Sequence, residues 1–174
     1  MLSKLISAVI VMSSLFAISA ASPQQGKASR DRQAVAIGLP RDYRDWRVIS
    51  IAHEEGSLND IRAILGNRAA VEAYRSGTRP FPDGAALVRL AYRYVPSNRN
   101  NTAFGQPQSF VAGEPTNVQI SLKNAKRFRS TGGWGYAQFK DGRVDPTAQT
   151  AQTCAACHAR MEFDRDRVFT DYAR

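Results

Sequence analysis

The sequence predicts an α+β domain in which short strands are joined by a few short helices, the last of them carrying the most specific motif of the chain. Three observations support this. Several segments alternate apolar and polar residues with the period of two that suits a half-buried strand. Residues 68–76 instead show helical spacing, between an asparagine able to cap and a glycine able to terminate. Residues 154–158 read Cys-Ala-Ala-Cys-His and lie near the C-terminus, with no strand-helix-strand unit around them.

In chain order, residues 1–21 have a cation at Lys4, an apolar run over 5–18 and the small residues Ser19, Ala20 and Ala21, the pattern of a cleaved secretory signal peptide. Ser7, Ser13 and Ser14 interrupt the run, and it is short for a membrane anchor. Its removal leaves 153 of 174 residues, enough for one domain with a real core, and changes the net charge from +9 to +8. That charge suits an acidic partner protein or an anionic membrane surface. Nucleic acid is excluded, because the arginines are scattered rather than set on one helix or interleaved with aromatics along a strand. Residues 22–38 are polar and read as a mobile leader, with the domain proper over 39–174.

Residues 46–53 read as a strand around Val48, Ile49 and Ile51, and 61–65 as a second, closed by Gly66-Asn67. Asn67 then caps a helix over 68–76 that buries Ala70, Val71 and Tyr74 and stops at Gly77. A turn at Phe81-Pro82-Asp83-Gly84 feeds a strand over 85–95, with Val88, Leu90, Tyr92 and Tyr94 on one face and Leu87, Arg89, Ala91 and Arg93 on the other. Residues 96–109 are polar and rich in Asn and Gln, and read as a disordered connection, with a lid near the site as the alternative. Residues 117–123 form a strand with Val118, Ile120 and Leu122 on the core face and Asn117, Gln119 and Ser121 opposite; 133–140 form another. Gly132-Gly133-Trp134-Gly135 lacks the Lys-Ser/Thr and helix of a phosphate loop, so its glycines are read as sites of close backbone approach. Asp141-Gly142 turns the chain toward the C-terminal helix, and residues 164–172 pack back through Val168 and Phe169.

The spacing at 154–158 is that of a c-type haem attachment site. Cys154 and Cys157 lie three positions apart on one helical turn, each able to add across a haem vinyl group, and His158 supplies the proximal nitrogen to iron. A redox disulfide, half of a zinc site and a chance match are the competing readings. Zinc closes four ligands, and the chain offers only these two cysteines with His53 and His158, two of the four being adjacent. A thioredoxin-type pair follows the first strand of a βαβ unit, which is absent here. Export also places the chain where haem is attached covalently in bacteria. Met161 is the one methionine left after cleavage and sits three residues from His158, so it cannot reach the far side of the iron; His53 is then the remaining distal imidazole, read as a solvated or core histidine.

Tyr43-Arg44-Asp45-Trp46, Phe81-Pro82-Asp83-Gly84, Gly132-Gly133-Trp134-Gly135, the 154–158 run and Asp166-Arg167-Val168-Phe169-Thr170, in that order, resemble the cytochrome P-460 and cytochrome c'-beta family over residues 39–172. The resemblance implies a mainly antiparallel sheet with a few short helices, usually a homodimer, and one covalent haem c with its distal side open to small nitrogen oxides. Hydroxylamine-oxidising members carry a lysine cross-linked to the porphyrin where this chain has Arg89, and a distal carboxylate where it has Gln119. A guanidinium is always protonated and cannot serve as the amine nucleophile, and a carboxamide does not titrate usefully. The expectation is therefore a periplasmic mono-haem cytochrome that binds nitric oxide or a related small nitrogen oxide, with Arg89 and Gln119 in the distal pocket. The alternatives are a haem oxidoreductase acting on hydroxylamine or nitric oxide, and an electron carrier, which would want two strong axial ligands.

Overall fold

Among the described residues six antiparallel strands form a single sheet in sequence order: β1 (Arg47–Glu54), β2 (Asp60–Gly66), β3 (Ala86–Pro96), β4 (Phe110–Lys123), β5 (Trp134–Lys140) and β6 (Arg143–Val144). The computed structural model describes residues 37–145, 151–161 and 163–173, so the expected signal peptide and residues 22–36 of the leader lie outside the described residues. Among the described residues three α-helices accompany the sheet: α1 (Arg68–Ser76) after β2, α2 (Asn98–Phe104) between β3 and β4, and α3 (Ala151–His158) near the C-terminus. The α+β expectation and its antiparallel sheet are what the structure shows.

Strand phase divides the core. Leu65, Val88, Ile120 and Ala137 are paired in successive strands and share one face. With Phe139, Phe128 and Ile37 they make the first cluster. Ile37 is 3% exposed, so the packed chain begins at least two residues before Leu39. The opposite face carries Ile64 and Leu87, next to each other in phase with Arg89, and Tyr136 in phase with Gln138. Against it pack α1, through Ala70, Val71 and Ala73, and α3, through Ala155. A bulge between Val48 and Ser50 lets Ile49 turn into this second cluster.

Helix α1 follows its local signals to the residue. Asn67 accepts the N–H of Ala70, and Gly77 ends the helix at φ 67°, where its N–H meets the carbonyls of Ala73 and Tyr74. Asn67 also accepts the N–H of Ala86 at 3.1 Å and donates to the Gly84 carbonyl at 2.8 Å, tying the helix start to β3. Asn67→Ala removes the cap and both ties, and is expected to cost about 2 kcal/mol in urea unfolding. A loss within a few tenths of a kcal/mol would mean that water replaces all three bonds.

Two segments depart from the sequence expectation. Residues 96–109 are ordered, with α2 at their centre: Ser97 caps Asn100, and Asn101 accepts the N–H groups of Gln108 and Ser109 at 3.1 and 2.7 Å. The asparagines that suggested disorder fasten the loop through their side chains. β4 begins at Phe110, seven residues before the expected start, because Phe110, Val111 and Ala112 pair with Pro96, Val95 and Tyr94. Gly135 meets the expectation of close approach, since a Cβ there would run into Phe128 and Ile37. In the tail Val168 is buried, but Phe169 is 48% exposed, with its ring at a steep angle to that of His158. The tail is tied down further on, by Tyr74 donating to the Thr170 carbonyl and by Ala173 N–H donating to Ile49.

Candidate functional site

α3 lies on β5 with Ala155 buried, Cys154 half-buried and Cys157 exposed, and both thiols are free. Three residues apart, the two sulfurs project from the same side of the helix. Burial pushes the Cys154 thiol up, so it is a neutral thiol at neutral pH. His158 ends the helix, its ring 4.6 Å from that of Tyr136 and 5.0 Å from that of Phe169. Its Nδ1 is 2.7 Å from the Arg167 carbonyl oxygen. A carbonyl only accepts, so Nδ1 carries the hydrogen and Nε2 keeps its lone pair. Burial lowers the pKa of His158, opposed by that hydrogen bond, and the neutral imidazole is the form a metal needs.

The Arg167 carbonyl reaches His158 through two consecutive left-handed residues, Asp166 at φ 48° and Arg167 at φ 64°. Asp166 is fixed on several sides. Its carboxylate meets Lys123 Nζ at 2.7 and 2.8 Å and accepts the Phe81 N–H at 2.8 Å, while its carbonyl accepts the Trp134 indole N–H at 2.8 Å. Gly132 lets the Arg167 side chain pass where any Cβ would collide with it.

Arg89 and Gln119 are direct cross-strand partners, and Gln119 in turn faces Gln138. Their phase puts all three on the sheet face against which α3 packs. Arg89 donates to Gln119 at 3.0 Å and to Asn117 at 3.2 Å, and Gln119 donates to Gln138 at 2.6 Å. On the other side Arg89 lies 3.5 Å from Asp60, a carboxylate 2% exposed that also takes Arg62 at 2.6 Å. Burial first, then Arg62, lowers the Arg89 guanidinium from its ordinary value, with Asp60 and Glu54 opposing. It stays charged at neutral pH. The strand phase of Arg89 and Gln119 was readable from sequence. Asp60, Arg62 and Gln138 were not, since only the register joins them to the row.

His53 lies on the other face, in phase with Ile61, stacked on Tyr94 at 3.9 Å and 3.4 Å from Asn59 Oδ1. Met161 follows α3 directly, its N–H on the His158 carbonyl at 3.2 Å. His53 lies on the sheet face away from Arg89.

A family model described as cytochrome P460 matches residues 40–170. The chain belongs to the cytochrome P460 family. No curated protein matches it. As a cytochrome P460 it is a haem-binding cytochrome, and its residues fit that group. The side of α3 offers two free thiols, His158 offers a bare Nε2, and two buried polar atoms on the same sheet face, Arg89 Nε and the Tyr136 hydroxyl, have no partner among the described residues. Burial raises the pKa of the Tyr136 phenol, so it remains a neutral donor on that sheet face.

Proposed function

We propose that this chain is an exported cytochrome that holds one haem c covalently through Cys154 and Cys157, takes His158 as its proximal ligand, and binds nitric oxide or a related small nitrogen oxide on the side of Arg89. A haem held there would supply an iron able to take a small diatomic. The observation that carries the reading is the contact of Arg89 with Gln119 on the α3 face. Both are donors that keep their protonation state, and the carboxylates at the two ends of the row are engaged, Asp60 by Arg62 and Arg89 and Asp145 by Gln138 at 3.0 Å. Such a row stabilises a bound polar ligand and takes no proton from a substrate, which speaks against hydroxylamine turnover. An electron carrier would want a second strong axial ligand, and the positions of His53 and Met161 argue against one. Export to the periplasm, an acidic redox partner and pairing with a second copy belong to the same proposal and rest on the sequence.

Absorption spectra of the ferric, ferrous and nitric-oxide-treated protein test it. An ordinary c-type ferrous spectrum that changes on adding nitric oxide is expected. A red-shifted ferrous spectrum like that of the cross-linked members, or hydroxylamine oxidation lost in Arg89→Ala, would overturn it. Arg89→Met removes a charged donor worth about 1.5–3 kcal/mol, so nitric oxide should dissociate about 10–150 times faster in stopped flow. An unchanged rate would place Arg89 away from the ligand.

A further inference from the structure

Two buried charges lie outside the polar row. Lys123, at the end of β4, is 5% exposed, and the Asp166 side chain is 11% exposed. Lys123 is fixed to the sheet, with its ammonium 5.1 Å from the Trp134 ring centre and 3.4 Å from the Gly132 carbonyl. Left-handed backbone is unfavourable for any residue with a Cβ, and two such residues in a row persist only where their surroundings over-determine them. At 166–167 the surroundings converge on Asp166, whose carboxylate holds Lys123 and the Phe81 N–H and whose carbonyl holds Trp134. The next carbonyl, that of Arg167, is the one on His158 Nδ1.

We infer that the Lys123 and Asp166 ion pair is a positioning element for the proximal ligand: it locks the left-handed turn and so holds the Arg167 carbonyl on His158 Nδ1. The inference rests on His158 as the iron ligand, as in the proposed function. A hydrogen bond accepted from Nδ1–H raises the basicity of Nε2, which favours ferric over ferrous iron. The sheet thereby sets the donor strength of a histidine carried on a helix.

The experiment uses the haem-loaded double variant Lys123→Met/Asp166→Asn. It removes both charges, so no uncompensated ion is left buried and the net charge near the haem is unchanged. Resonance Raman spectra of the ferrous protein should show the iron–histidine stretch at lower frequency than in wild type, and the midpoint potential should rise. Lys123→Met alone leaves the Phe81 N–H on Asp166 but changes the charge by one, so it is read by the stretch only, which should move in the same direction by less. A merely structural pair would lower the melting temperature and leave stretch and potential at their wild-type values, and that result would overturn the inference. A wild-type protein with no iron–histidine band would instead overturn the assignment of His158, and the inference with it.

Discussion

Alanine at both Cys154 and Cys157 is expected to give a chain from which acid-acetone extracts all of the haem, whereas the wild-type chain keeps its colour through the same treatment. The effect is complete rather than graded, because these are the only two cysteines of the 174 residues. Each single variant keeps one thiol on α3 and should retain haem through one thioether, at lower yield. The double variant still has His158, whose Nε2 is left bare by the hydrogen bond to Arg167. It should therefore bind added haem, with ordinary reversible affinity. Wild-type protein that loses its colour in acid-acetone would show that the cysteines do not hold the group.

What was legible in the sequence was what local chemistry fixes. The spacing of Cys154, Cys157 and His158 follows from helical geometry, and α1 is bounded by an asparagine and a glycine whose roles depend only on their neighbours. Arg89 and Gln119 were assigned to their faces by strand phase alone. Their mutual contact needed the register of β3 against β4, which no short-range signal carries. The order of residues 96–109 was missed because it comes from side-chain amides closing a loop rather than from apolar spacing. The early start of β4 was missed because Gly113 and Pro115 break the alternation, in a segment whose first residues are exposed. The partner of His158 was missed for a different reason. It is a backbone carbonyl, presented by two non-glycine residues at positive φ, and its place is set by Lys123, 43 positions from Asp166.

The second large effect is expected at Asp60. This carboxylate is 2% exposed and carries two guanidinium groups, with Arg62 donating to one oxygen through Nε at 2.8 Å and Nη2 at 2.6 Å, and Arg89 lying 3.5 Å from the other. Asp60→Ala leaves two half-buried cations that already oppose one another. Glu54 remains within 3.4 Å of Arg62, but it is half exposed, so solvent screens its charge. Removing one partner of a buried ion pair costs about 3–5 kcal/mol, against about 5–15 kcal/mol for the whole fold. Urea unfolding of the haem-loaded variant should show that loss. Asp60→Asn keeps an acceptor for Arg62 and should lose less. Asp60→Leu/Arg62→Met removes the closest pair together and should recover most of the stability, since the cost lies in the unpaired charge rather than in the missing attraction. The same substitution tests the site, because Arg89 without Asp60 loses the contact that holds it from the β2 side. Nitric oxide should then dissociate faster from Asp60→Ala than from wild type, while Asp60→Asn stays closer to the wild-type rate. Asp60→Ala unfolding within about 1 kcal/mol of wild type would mean that water reaches Arg62 and Arg89, and that the row is no buried scaffold for a ligand.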